Sequence, residues 1–182
     1  MLKEFVKQYL TDNNILLVCA AGNVDADKKV GRTETESIRN LEIYPFYPAC
    51  LSKDFQNVIA VTTISYQEDA VSPSQNFSNR IVDVGVRCDA EIDSDYRFED
   101  SLNRQDASGH LIYVIGSSYA APILTGKIAQ YYNDLISTMT NGCINKKLFI
   151  QKLKNESPNV VDTNSSTNLY EFIIDGNFSI KV

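Results

Sequence analysis

Apolar positions along this chain recur with two periods, and the change from one period to the other marks the elements. Residues 2–11 carry Leu2, Phe5, Val6 and Tyr9 at helical spacing with Leu10 beside them, while Lys3, Glu4 and Lys7 fall elsewhere; this predicts an amphipathic helix. The turn Asp12-Asn13-Asn14 leads into Ile15-Leu16-Leu17-Val18-Cys19-Ala20-Ala21, an unbroken apolar run that reads as a strand buried on both faces and stops at Gly22-Asn23. Residues 57–64 form a second such strand and residues 81–86 a third, with the turn-rich Ser72-Pro73-Ser74-Gln75-Asn76 between them. A short apolar strand over 111–115 ends at Gly116.

Beyond it, residues 119–138 place Ile123, Leu124, Ile128, Tyr131, Tyr132, Leu135 and Ile136 mostly three and four apart. The expectation is a long helix with Gly126 as its one weak helix former. Residues 146–154 predict another helix with Leu148, Phe149 and Leu153 on one face, and 169–174 with 178–182, around Asp175-Gly176-Asn177, predict a β-hairpin. The polar stretches 24–40 and 89–106 are expected as loops. Helices alternating with doubly buried strands imply an α/β fold with a mostly parallel sheet.

The 182 residues suit one domain, with 156–182 as a C-terminal extension. At 43% hydrophobic and 22% charged residues the composition excludes collagen-like, disordered and coiled-coil readings. A formal charge of −6 argues against nucleic acid or anionic membrane as a partner, since both demand a cationic surface. No run is long enough for a membrane span and residues 1–14 hold no continuous apolar core of a secretory signal, so the expectation is a cytoplasmic protein. Cys19, Cys50, Cys88 and Cys143 lie far apart without a Cys-x-x-Cys pair and read as free thiols, and no metal or cofactor is expected. Asp25 and Asp27, and the run Glu91, Asp93, Asp95, Glu99 and Asp100, match no defined calcium loop and read as solvated surface. The Asn-x-Ser/Thr sites at Asn76, Asn155, Asn164 and Asn177 would bear only on a secreted protein.

The candidate chemistry lies at Ser118. Set after a glycine at a strand-to-helix junction, a serine meets free backbone N–H groups and a helix dipole that favours developing negative charge. The segment Gly116-Ser117-Ser118-Tyr119-Ala120-Ala121-Pro122 resembles the nucleophile motif of the subtilisin-like serine proteases, Gly-Thr-Ser-Met-Ala-x-Pro. Pro122, early in that helix, is expected to cost little. Three further segments match that family in the same order. Val18-Cys19-Ala20-Ala21-Gly22-Asn23 resembles its strand ending in Ala-Ala-Gly-Asn; Tyr47-Pro48-Ala49 with Asn57-Val58-Ile59-Ala60-Val61 resembles its Tyr-Pro-Ala stretch and following strand; Asn76-Phe77-Ser78-Asn79 with Val82-Asp83-Val84 resembles its Phe-Ser segment and next strand. The likeness covers about residues 2–155.

The resemblance implies a three-layer α/β fold, of which this chain would be the C-terminal half, and peptide-bond hydrolysis with Ser118 as nucleophile and Asn23 as side-chain donor of the oxyanion hole. Such a donor is worth roughly a hundred- to a thousandfold in rate. Read without the resemblance, Asn23 serves a left-handed turn after Gly22 and Ser118 a helix cap.

The family's aspartate and histidine motifs both precede the oxyanion asparagine, and neither occurs among the 22 residues before Asn23. The single histidine, His110, stands eight residues before Ser118; along a strand that is up to roughly 26 Å, against the ~3 Å that proton transfer needs. Lys127, nine residues along the helix, is about 13 Å away by rise. The expectation is a serine peptidase portion that acts on a peptide or protein substrate once another segment or chain supplies aspartate and histidine, or that self-associates. The alternative is a non-catalytic interaction module on the same fold. Tyr119 in place of the family's methionine, Ile123 where histidine commonly follows the proline, and Gly85-Val86-Arg87 in place of Ala-Pro-Gly suit that second reading.

Overall fold

A computed structural model describes residues 1–23, 38–65, 71, 75–78, 80–89, 104–105, 108, 111–112, 116–140, 142–156, 160–161 and 173–175. The chain opens with one α-helical turn, α1 (Leu2–Phe5), which widens into π-helical turns over Val6–Thr11. Asn13 closes it by donating its amide to the Tyr9 carbonyl, and Asn14 turns the chain with φ of 53°.

Three strands follow in parallel: β1 (Leu17–Ala20), β2 (Val58–Ser65) and β3 (Val84–Asp89), with Leu17 opposite Val58 and Val61 opposite Val84. Two short strands, β4 (Arg104–Gln105) and β5 (Leu111–Ile112), pair antiparallel in a separate ribbon. The site helix α2 (Ser117–Gln130), then α3 (Tyr132–Ser137) and α4 (Lys146–Glu156), follow. Finally β6 (Val160–Val161) and β7 (Ile173–Asp175) complete the main sheet in the order β1-β2-β3-β7-β6, in which only β6 runs antiparallel.

Alternation along β2 explains the layers. Ile59 and Val61 enter one core with Val84, Val86, Ala120, Leu124, Ile128, Leu135 and Phe149, so α2, α3 and α4 cover that face. Val58, Ala60 and Ile64 enter a second core with Val6, Leu41, Ala49, Cys50 and Leu51, which the N-terminal helix and a 3₁₀ turn at Ala49–Leu51 cover. Helices on both faces of a parallel sheet give the three-layer α/β architecture expected from the sequence.

The two layers are tied together at the N-terminal ends of β2 and β3. The Lys146 ammonium sits 2.9 Å from Asp83 Oδ1 and donates to the Ser52 carbonyl at 2.7 Å and the Val58 carbonyl at 3.0 Å. Asp83 Oδ2 in turn accepts from the Ser52 hydroxyl and from the Ala60 N–H.

Several boundaries differ from the sequence reading. The third strand starts at Val84, because Ser78 organises the residues before it into a turn: its Oγ accepts from the Arg80 and Ile81 N–H groups and its carbonyl from Val82. Ile81 and Val82 are therefore buried without being strand. The long helix starts at Ser117 and breaks at Tyr131, whose N–H is shared between the Lys127 and Ile128 carbonyls. Pro122 is not within the first turn but is the sixth helical residue, so it withholds an N–H from the Ser118 carbonyl four residues earlier. Leu148 is exposed while Phe149 is buried, so the two do not share a face. Ile173–Asp175 is a sheet strand between β3 and β6; the second arm of the expected hairpin lies outside the described residues.

Candidate active site

Two glycines in left-handed backbone conformations turn the chain at the C-terminal end of β1 and at the start of α2. Gly22 has φ of +85° and Gly116 φ of +111°, values an L side chain adopts only under strain. At Gly22 there is also no room, since a Cβ would stand 2.9 Å from the Phe46 ring and 3.0 Å from Asn76 Nδ2. The left-handed turn thus belongs to Gly22 and not to Asn23, which frees the asparagine side chain for another use. It reaches across to the helix start: a Cβ placed on Gly116 would lie 3.8 Å from Asn23 Oδ1. The structure therefore brings the end of β1 and the start of α2 together, as open α/β sheets do where they bind ligands.

Ser118 is the second residue of α2 and is exposed, with no acidic side chain in the helix's first turn to offset its positive end. Ser117 beside it is wholly buried and holds the two segments in register. Its Oγ accepts from the Gly22 N–H at 3.0 Å, and its own N–H donates to Gln75 Oε1 at 2.7 Å. The segment 75–78 supplies the rest. Asn76 donates its backbone N–H to the Gly22 carbonyl at 3.0 Å and its side-chain amide to the Ala21 carbonyl at 3.0 Å, and its carbonyl accepts from the Thr62 hydroxyl. Gln75 pairs with Asn23 in an antiparallel bridge, and its carbonyl accepts from Arg39 Nε at 2.8 Å. Asn76, 6% exposed and bonded into this network, leaves no room for a glycan in the folded chain.

The sequence reading named Ser118 and Asn23 as candidates and did not single out Gln75, Ser117 or Arg39, whose hydrogen bonds hold the segments around them. A polar residue inside Ser-Pro-Ser-Gln-Asn reads as exposed turn, yet Gln75 is 0% exposed. His110 lies outside the described residues, as do Asp25, Asp27, Glu91, Asp93, Asp95, Glu99 and Asp100. Lys127 is on the buried face of α2, its ammonium 5.2 Å from the centre of the Tyr131 ring, and burial pulls its pKa down; the exposed Ser118 does not share its surroundings. Cys19 and Cys50 are buried free thiols and Cys143 an exposed one. Among the described residues no three or more metal-ligating side chains of the His, Cys, Asp and Glu types converge, and no helix is long and apolar enough to cross a membrane.

A parallel α/β sheet with a serine at the start of its main covering helix, opposite an asparagine at a strand end, has the layout of a serine-peptidase-like domain. The family model of the subtilases, peptidase family S8, matches residues 2–166, and the chain belongs to the subtilase family. No curated protein matches it.

Proposed function

We propose that this chain supplies the nucleophile and the oxyanion hole of a subtilase, and hydrolyses peptide bonds when a further segment or a separate chain brings the aspartate and histidine. The observation that carries this reading is the approach of the Asn23 side chain to Gly116, directly before Ser117 and Ser118. In the proposed reaction the Ser118 hydroxyl attacks the scissile carbonyl, and the histidine supplied takes its proton. The oxygen that becomes negative is met by the Asn23 amide and the Ser118 N–H, and such preorganised donors need no reorganisation as charge develops.

A complementing segment would meet the edge of β1. Among the described residues β1 has a strand neighbour on one side only, and Leu2, Phe5, Tyr9 and Ile15 are exposed apolar side chains on the elements leading into it. Mixing the chain with a polypeptide that carries Asp-Ser/Thr-Gly and His-Gly-Thr motifs tests the proposal. Peptide hydrolysis that disappears in Ser118→Ala supports it, and none in any mixture favours the interaction module. That second reading draws support from Tyr119, which is 41% exposed beside Ser118 where the family carries methionine.

A further inference from the structure

We infer that Gln75 is a positioning residue of this site: its neutral carbonyl oxygen occupies the Ser117 N–H, which leaves the Ser118 N–H as the helix donor that meets an oxyanion beside Asn23. The inference rests on the roles proposed above for Ser118 and Asn23. The first turn of any helix presents N–H groups without intrahelical acceptors, and a cap at the preceding residue normally takes one of them. Here that residue is Gly116, which has no side chain to cap with. Gln75, 42 residues earlier, instead takes the N–H of the first helical residue, Ser117, from the core at 2.7 Å, and the Tyr119 N–H turns back to the Gly116 carbonyl. The same residue is bridged through its backbone to Asn23 and held by Arg39, so one buried amino acid sets both halves of the site relative to each other.

The choice of an amide is informative. A carboxylate at this position would cap the helix at least as well, because charge-assisted bonds are stronger and the dipole favours an anion there. It would also place a negative charge next to the oxygen that becomes negative. The position a Gly116 Cβ would take is 3.9 Å from Gln75 Oε1 and 3.8 Å from Asn23 Oδ1, so both groups border one small volume. A neutral acceptor orders the helix start without opposing the oxyanion.

The test compares the 182-residue chain with Gln75→Met, which removes the acceptor, and Gln75→Glu, which keeps it and adds charge. A peptide boronic acid is the probe, added to each protein together with the polypeptide that carries the aspartate and histidine motifs: Ser118 Oγ bonds to boron, the hydroxyl proton passes to the histidine supplied, and boron becomes tetrahedral and anionic, which boron NMR reads directly. Amide hydrogen exchange and thermal midpoints are measured on the same proteins. The parent should show a protected Ser117 N–H beside a fast-exchanging Ser118 N–H, and Gln75→Met should lose that protection and melt lower. Gln75→Glu should keep the protection, melt lower because it buries a charge at a wholly buried position, and bind the boronate about tenfold to a hundredfold more weakly at a temperature where it is fully folded. Equal exchange at Ser117 and Ser118 in the parent, or undiminished boronate affinity in Gln75→Glu, overturns the inference. An adduct that survives Ser118→Ala, or no adduct with the parent despite the expected exchange pattern, instead overturns the role given to Ser118, and the positioning role falls with it.

Discussion

The Ser117 hydroxyl accepts a hydrogen bond from the Gly22 N–H at 3.0 Å, across 95 residues of chain, and both residues are buried. The helix that presents Ser118 is thereby fastened to the turn that presents Asn23. Ser117→Ala leaves the Gly22 N–H buried without its acceptor and should cost about 1–3 kcal/mol in urea unfolding, while Ser117→Thr, which keeps the hydroxyl, should cost less. Equal stability of the Ala variant and the parent would remove this fastening from the account.

Gly22→Ala meets two separate obstacles, the left-handed φ of +85° and the Phe46 ring at 2.9 Å. The variant should lose about 1–2 kcal/mol from backbone strain alone, with the clash in addition. Because Phe46 is 43% exposed, Phe46→Ala should relieve the ring clash but leave the strain and the 3.0 Å approach to Asn76 Nδ2. A double-mutant cycle by chemical denaturation separates the two, and full rescue by Phe46→Ala would show that strain plays no part.

At the opposite ends of the strands, Lys146 and Asp83 form an ion pair whose side chains are only 10% and 16% exposed. Lys146→Met removes the only cation paired with the Asp83 carboxylate among the described residues, leaving it with the Ser52 hydroxyl and the Ala60 N–H, and should destabilise the chain by about 3–5 kcal/mol. Surface charges are screened by salt and this pair is largely shielded, so the cost of Lys146→Met should change little between low and high ionic strength. A cost below about 1 kcal/mol would place the pair with ordinary surface bridges.

Burial pushes the Cys19 thiol up to about 12. Its thiolate is therefore scarce at neutral pH, and a thiol reagent at pH 8 should modify the exposed Cys143 promptly and Cys19 only after denaturant is added. The sign of the linkage follows from the raised value: the thiol's contribution to stability is complete below its ordinary value of 9.0 and is lost as pH climbs toward 12. Prompt labelling of Cys19 in the native protein contradicts this assignment.

The 182-residue chain by itself should hydrolyse casein and fluorogenic peptides no faster than its Ser118→Ala variant. A serine hydroxyl without a neighbouring base stays protonated and weakly nucleophilic. Clear turnover that depends on Ser118 would mean that a base operates within the chain.

What could be read from the sequence were the features whose physics is local. The run from Ile15 to Ala21 stops at Gly22-Asn23, and that stop is where the strand meets the site; Gly116 before two serines likewise marks the start of a helix. Non-local features were hidden. Ile81 and Val82 look like strand because burial in a turn and burial in a sheet leave the same apolar trace, and only the Ser78 hydrogen bonds distinguish them. Lys146 and Gln75 look like surface residues because their partners, Asp83 and Ser117, are 63 and 42 residues away.

The bonds that build the site join residues 42, 55 and 95 positions apart, from Gln75 to Ser117, Asn76 to Ala21 and Ser117 to Gly22. Contacts of such span are the costliest in loop closure and the last to be rewarded during folding. On a ribosome, the segments carrying Asn23 and Gln75 emerge well before α2 is made, so the serine acquires its surroundings only after most of the sheet exists. The proposed site is thus assembled late in synthesis, and a partial unfolding that loosened α2 would part Ser117 from Gly22 while the parallel strands stayed paired.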